Sequence, residues 1–204
     1  MNISPRRTFV ALTACALLLG RPTIGSAQDP MSGMDMRGHI MIPEGAIYTV
    51  ADVEFMQGMI AHHAQAIHMS RMAEERRANA RVLRLAVKID QSQVAEIRIM
   101  QDWLRGYGQV APDTSSWRTM TMPGMLTPEQ LKTLDGASGV AFDRAFLNLM
   151  IQHHEGALQM VNDLFAAPRA GQEVDVGVFA NDVVVVQTAE IGLMRQMLAQ
   201  LPGN

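Results

Sequence analysis

Apolar and polar positions alternate with a helical rhythm in four separate segments. In the first, Phe55, Met59, His62, Ala66, Met69 and Ala73 recur at spacings of four and three, which keeps them on one face of an α-helix. Ala86, Asp90, Gln93, Ile97, Met100 and Leu104 do the same in the second. The third carries Phe146, Met150, His153, Ala157, Met160 and Leu164, and the fourth Ala180, Val184, Gln187, Ile191, Met194 and Leu198. Residues 183–186 are four consecutive valines with strand propensity. They nevertheless sit in register with a helical pattern, and propensity is the weaker prior.

The four segments are two copies of one unit. Residues 52–63 match residues 143–154 at an offset of 91, pairing Phe55 with Phe146, Met59 with Met150 and His62-His63 with His153-His154. Gln93, Glu96, Ile97 and Met100 match Gln187, Glu190, Ile191 and Met194 at an offset of 94. Thr49 with Asp52 has the form of a capping box and starts the first helix near residue 50. Ala78-Asn79-Ala80 marks the first turn, Gly106 and Gly108 close the second helix, residues 168–171 part the third helix from the fourth, and Pro202-Gly203 ends the fourth. The pattern predicts an all-α, ferritin-like four-helix bundle over 45–204, made of two duplicated hairpins, 49–105 and 140–201. The connection 106–139 contains Pro112, Pro123 and Pro128, and a short helix opened by Thr127-Pro128-Glu129-Gln130. A helix of about 27 residues is about 40 Å long, and this connection is long enough to return along it.

The first 27 residues read as an export signal. Arg6 and Arg7 precede an apolar run, and Gly25-Ser26-Ala27 offers a small-residue cleavage site before Gln28. The window 4–10 resembles a twin-arginine signal, with an ordinary signal carrying two arginines as the alternative. The apolar run is shorter than the roughly 20 residues that a membrane span needs, and no later segment reads as a span. Cys15, the only cysteine, lies inside this segment, where 12–15 resembles a lipoprotein box; lipid anchoring there is the lesser alternative to cleavage. The expected mature chain is therefore periplasmic or secreted and free of thiols. Losing Arg6, Arg7 and Arg21 leaves 14 basic against 20 acidic residues, a charge of -6. That balance gives no support to nucleic-acid binding.

Composition then points to metal. The chain holds 17 Met, roughly three times the ordinary share. The predicted midpoints of the first and third helices fall at residue 63 and residue 153, so His62, His63, His153 and His154 all lie at mid-height of the bundle. Met59 and Met150 stand one turn before these pairs, and Met69 and Met160 two turns after them. Imidazole suits copper and zinc, and thioether selects copper(I) or silver(I). Gln93, Glu96, Gln187 and Glu190 on the other two helices suit supporting hydrogen bonds to ligand imidazoles. Two further clusters lie outside the four helices. Met31, Met34, Met36, His39 and Met41 crowd a Met-rich tail, 28–44, and Met120, Met122 and Met125 sit in the connection. A di-iron site of the ferritin type is disfavoured, because Met59, Ile60, Met150 and Ile151 stand where its Glu-x-x-His motif would place Glu. Core packing by Met and a metal-free His–Glu and His–Gln network are the bland alternatives.

The doubled Phe-x-x-x-Met-Ile-x-His-His segments at 55–63 and 146–154, with Gln-x-x-Glu-Ile-x-x-Met at 93–100 and 187–194, resemble the signature of domain-of-unknown-function family 305. The resemblance covers about 45–202. It implies a ferritin-like helical bundle in an exported protein, and some members are linked to copper handling. The reading is a copper(I)- or silver(I)-binding protein for buffering, tolerance or delivery, with zinc or no metal as alternatives. Its partners would be the metal ion and another copper-handling protein, and the pattern is compatible with a homo-oligomer. The rivals are a metal-dependent redox enzyme, the less favoured, and a metal-free structural or partner-binding bundle. No nucleophilic triad or phosphate loop is visible.

Overall fold

In a computed structural model of the protein, residues 40–202 are described. The expectations for the signal, Cys15, Met31, Met34, Met36 and His39 concern residues outside them. Five α-helices follow in order: α1 (Val50–Glu75), α2 (Ala80–Gly106), α3 (Pro128–Gly136), α4 (Val140–Ala166) and α5 (Val174–Gln200). A 3-10 turn, Ser116–Arg118, and α3 lie in the crossover between the hairpins. No strand occurs among the described residues, so 183–186 is helical as read. The fold is all-α.

Local chemistry sets the helix ends. Thr49 caps α1 in a reciprocal box: its hydroxyl accepts from the Asp52 backbone, and the Asp52 carboxylate accepts the Thr49 N–H at 2.7 Å. Asn79 caps α2 through Arg81 and Val82, and Thr127 caps α3 in a second box with Gln130. The repeat partners Asp52 and Asp143 then tie the two hairpins together. Asp52 accepts the Gly171 N–H at 2.6 Å, in the α4–α5 turn, and Asp143 accepts from the Asn79 backbone and side chain, in the α1–α2 turn. Each buried carboxylate thus satisfies donors that a turn would otherwise leave bare.

α1 packs along α2, α4 along α5, and the hairpins meet through α1 and α4. Two apolar cores result. One joins Phe55 and Met59 of α1 to Met160 and Leu164 of α4; the other joins Met69 and Ala73 to Phe142, Phe146 and Met150. The start of α1 therefore meets the end of α4, so these helices run antiparallel. α1 is buried on nearly every side, because the crossover covers the face that α2 and α4 leave open. α5 differs from the expectation that no later segment could span a membrane. By length and composition it qualifies, with mean hydropathy 1.4. The reason is its outward face, where Val174, Val178 and Val185 are exposed; its inward face holds the polar Gln187 and Glu190.

Candidate metal centre

Between the two apolar cores lies a polar layer. His62, His63, His153 and His154 are all 0% exposed, and Gln93, Gln187 and Glu190 are buried beside them. The repeat partners His62 and His153 face one another across α1 and α4, with ring centroids 3.7 Å apart and planes tilted by 39°. His63 and His154 stand outward of them, each about 6.4 Å from its neighbour. Among the described residues no three of His, Cys, Asp and Glu converge on a single point. The imidazoles are therefore a stacked pair with two flanking rings, and any ion held here would draw donors from Met as well.

The hydrogen bonds fix the rings. His63 Nε2 donates to Glu96 at 2.6 Å, and His154 Nε2 donates to Glu190 at 2.9 Å. His62 Nε2 donates to the Pro123 carbonyl at 3.1 Å. Carbonyl and carboxylate oxygens only accept, so Nε2 bears the proton in all three, and in the neutral ring Nδ1 keeps its lone pair. These three Nδ1 atoms are buried without a partner, as are both nitrogens of His153. An acceptor on one ring nitrogen with a free lone pair on the other is the arrangement by which proteins orient a metal-ligand histidine. Burial holds His62 and His153 well below the ordinary imidazole range, and the neighbouring histidines push the same way. Both are thus neutral, as ligation requires. Burial alone would raise the Glu190 carboxyl, but the His154 hydrogen bond and Lys88, 3.3 Å away, outweigh it and lower it.

The crossover lies directly over this layer as a strap. Gln57 donates to Val110 O at 2.8 Å; Gln65 both accepts from and donates to the Leu126 backbone, at 2.7 and 3.1 Å. Gln152 donates to Gly124 O at 3.3 Å. At Gly156 the contact is closer still. A Cβ there would stand 2.0 Å from Pro123 O, and one on Gly124 would stand 2.6 Å from Gly156 Cα. Only a glycine pair allows this approach, and Gly124 also adopts φ +77°.

The structure brings some of the sequence candidates together and separates others. Met59, Met69 and Met150 are fully buried and Met160 nearly so, divided between the two cores. Glu96 and Glu190 hydrogen-bond to His63 and His154. Gln93 and Gln187 are buried in the layer with Oε1 unpartnered, so the described hydrogen bonds show no His–Gln contact. Met41 is 81% exposed, with its carbonyl accepting from Gln109. Met120, Met122 and Met125 are half-buried on the strap. Sequence reasoning missed the Pro123 carbonyl, Lys88 and the glycines under the strap. Gly58 and Gly156, mid-helix glycines in otherwise strong helical patterns, were the available signal.

The profile of the domain-of-unknown-function family DUF305 matches residues 52–198. The chain belongs to the DUF305 family. Solved structures agree. A DUF305 fragment from Deinococcus radiodurans is 31% identical with TM-score 0.66, over 76% of this chain and 99% of that one. A DUF305 protein from Streptomyces coelicolor, described as a candidate secreted protein, is 31% identical with TM-score 0.64, over 76% and 97%. CopM in its Cu(I)-bound form is 27% identical with TM-score 0.60, over 74% and 98%, and it is also solved in Cu(II)- and Ag-bound forms. Among curated proteins no significant match is found.

Proposed function

We propose that this DUF305 chain is an exported copper(I)- and silver(I)-binding protein that buffers or delivers the ion. The observation that carries the reading is the set of buried imidazole nitrogens without partners in the layer between the two cores. Buried polar groups without partners are costly and call for an account. His62, His63, His153 and His154 would supply nitrogen and Met59, Met150, Met69 and Met160 thioether sulfur. Glu96, Glu190 and the Pro123 carbonyl would hold the rings in orientation. The bound ion would supply a soft acceptor for lone pairs that nothing else in the layer takes up. Few hard oxygen donors face inward, so magnesium, calcium and manganese are disfavoured. CopM, similar over 74% of this chain, is known in copper- and silver-bound forms. Export rests on the N-terminal signal pattern. The Met-rich tail, 28–44, would add a second class of site.

Copper(I) titration in competition with a chromophoric chelator tests this. The protein is expected to withdraw copper(I) from the chelator, and silver(I) in its place, while excess magnesium or calcium displaces neither. Deleting residues 28–44 is expected to lower the stoichiometry and leave the helix content intact. A protein that withdraws no copper would leave the layer a metal-free hydrogen-bonded core, a reading that the paired His–Glu contacts favour.

A further inference from the structure

The geometry points to one particular soft-metal site under the strap, formed by Met122 together with Met160 and the His62–His153 pair. This rests on the reading of the chain as a copper(I) and silver(I) binder. It regroups the donors, because in sequence Met122 belongs with Met120 and Met125, and it stands 60 residues after His62 and 31 before His153.

Gly58 is the key position. It is buried in the middle of α1, where alanine would favour the helix more. The space that its missing Cβ leaves is taken by two methionines. Met122 Sδ lies 3.0 Å from where that Cβ would stand, and the Met160 methyl lies 3.4 Å from it. One thioether comes from the strap and the other from α4, and they meet over a single glycine. His62 follows Gly58 by one helical turn on the same face. Its Nε2 donates to the carbonyl of Pro123, the residue after Met122. The His62 ring stacks on His153, whose two nitrogens are buried and unpartnered. A Leu in place of Met122 would fill the same space, so packing alone does not require sulfur there. Two methionines meeting over Gly58, one helical turn from His62, together with unpartnered nitrogens on His62 and His153, make up a donor set for copper(I) or silver(I). Met122 is only half-buried, which gives the ion a way in from the strap side.

Four variants separate this site from the rest: Met122→Leu, Met160→Leu, Met120→Leu and Met125→Leu, each in the full chain. Leucine keeps the volume and removes the sulfur. In chelator competition, Met122→Leu and Met160→Leu are each expected to weaken one copper(I) equivalent at least tenfold, while Met120→Leu and Met125→Leu titrate as wild type. In wild-type protein labelled at the methionine methyls, silver(I) is expected to shift the Met122 and Met160 resonances together. Wild-type behaviour of Met122→Leu, or a Met122 methyl unmoved by silver, would overturn the site. In that case the wild type still binds copper(I), and the broader reading stands. Failure of the wild type to bind copper(I) at all would overturn both.

Discussion

Lowering the pH from 7.5 to 5.5 is expected to remove about 3 kcal/mol of folding stability through His62 and His153 alone. Both rings are fully buried, and burial keeps their folded pKa well below the 6.5 of a free imidazole. The unfolded chain therefore binds protons near pH 6.5 that the folded chain refuses. Stability is fully present above that value and falls as the pH drops through it, by about 1.4 kcal/mol per pH unit for each ring. The loss continues down to the pH at which the folded rings themselves protonate. Urea unfolding of the metal-free protein at pH 7.5, 6.5 and 5.5 checks this. Replacing both rings with Gln should flatten the profile, and an unchanged slope would place the acid sensitivity elsewhere.

Gly156→Ala is expected to destabilise the protein by roughly 3 kcal/mol, at the severe end for overpacking. The added methyl would meet the Pro123 carbonyl 2.0 Å away and Gly124 Cα at 2.5 Å. Backbone cannot rotate aside as a side chain can, so the strap must lift. Lifting would also strip His62 of its acceptor. Gly136→Ala is the control, since nothing lies within 4 Å of its Cβ position. Thermal melts of the two variants decide the point: equal midpoints would mean that the strap is not held down at Gly156.

Most of the helical framework was legible because it is written twice. Each spacing in the first hairpin is repeated in the second, and the observed α1, α2, α4 and α5 lie within two residues or so of where the periodicity and the Thr49, Asn79 and Gly106 signals put them, an error typical of helix ends. The mid-height position of the four imidazoles followed from helix midpoints alone. Their pairing did not, because the His62–His153 stack depends on how α1 and α4 are rotated against each other. The crossover was the least legible part. It occurs once, so the repeat carries no second copy to read it against, and it breaks the symmetry of whatever it touches. Gly58 is matched by Leu149 and Gly156 by Gln65 in the other copy. Those mismatches mark the strap's footprint on α1 and α4.

The central claim is that nitrogen from histidine and sulfur from methionine hold copper(I) in the helical part of the chain. X-ray absorption at the copper edge tests it in one spectrum. The sample is the chain shortened to begin at residue 45, loaded with one equivalent of copper(I) and desalted, so that the Met-rich tail contributes nothing. The expected spectrum combines sulfur in the first shell with the outer-shell scattering of imidazole rings. Copper lost on desalting, or a first shell of oxygen with neither sulfur nor imidazole, would contradict the account.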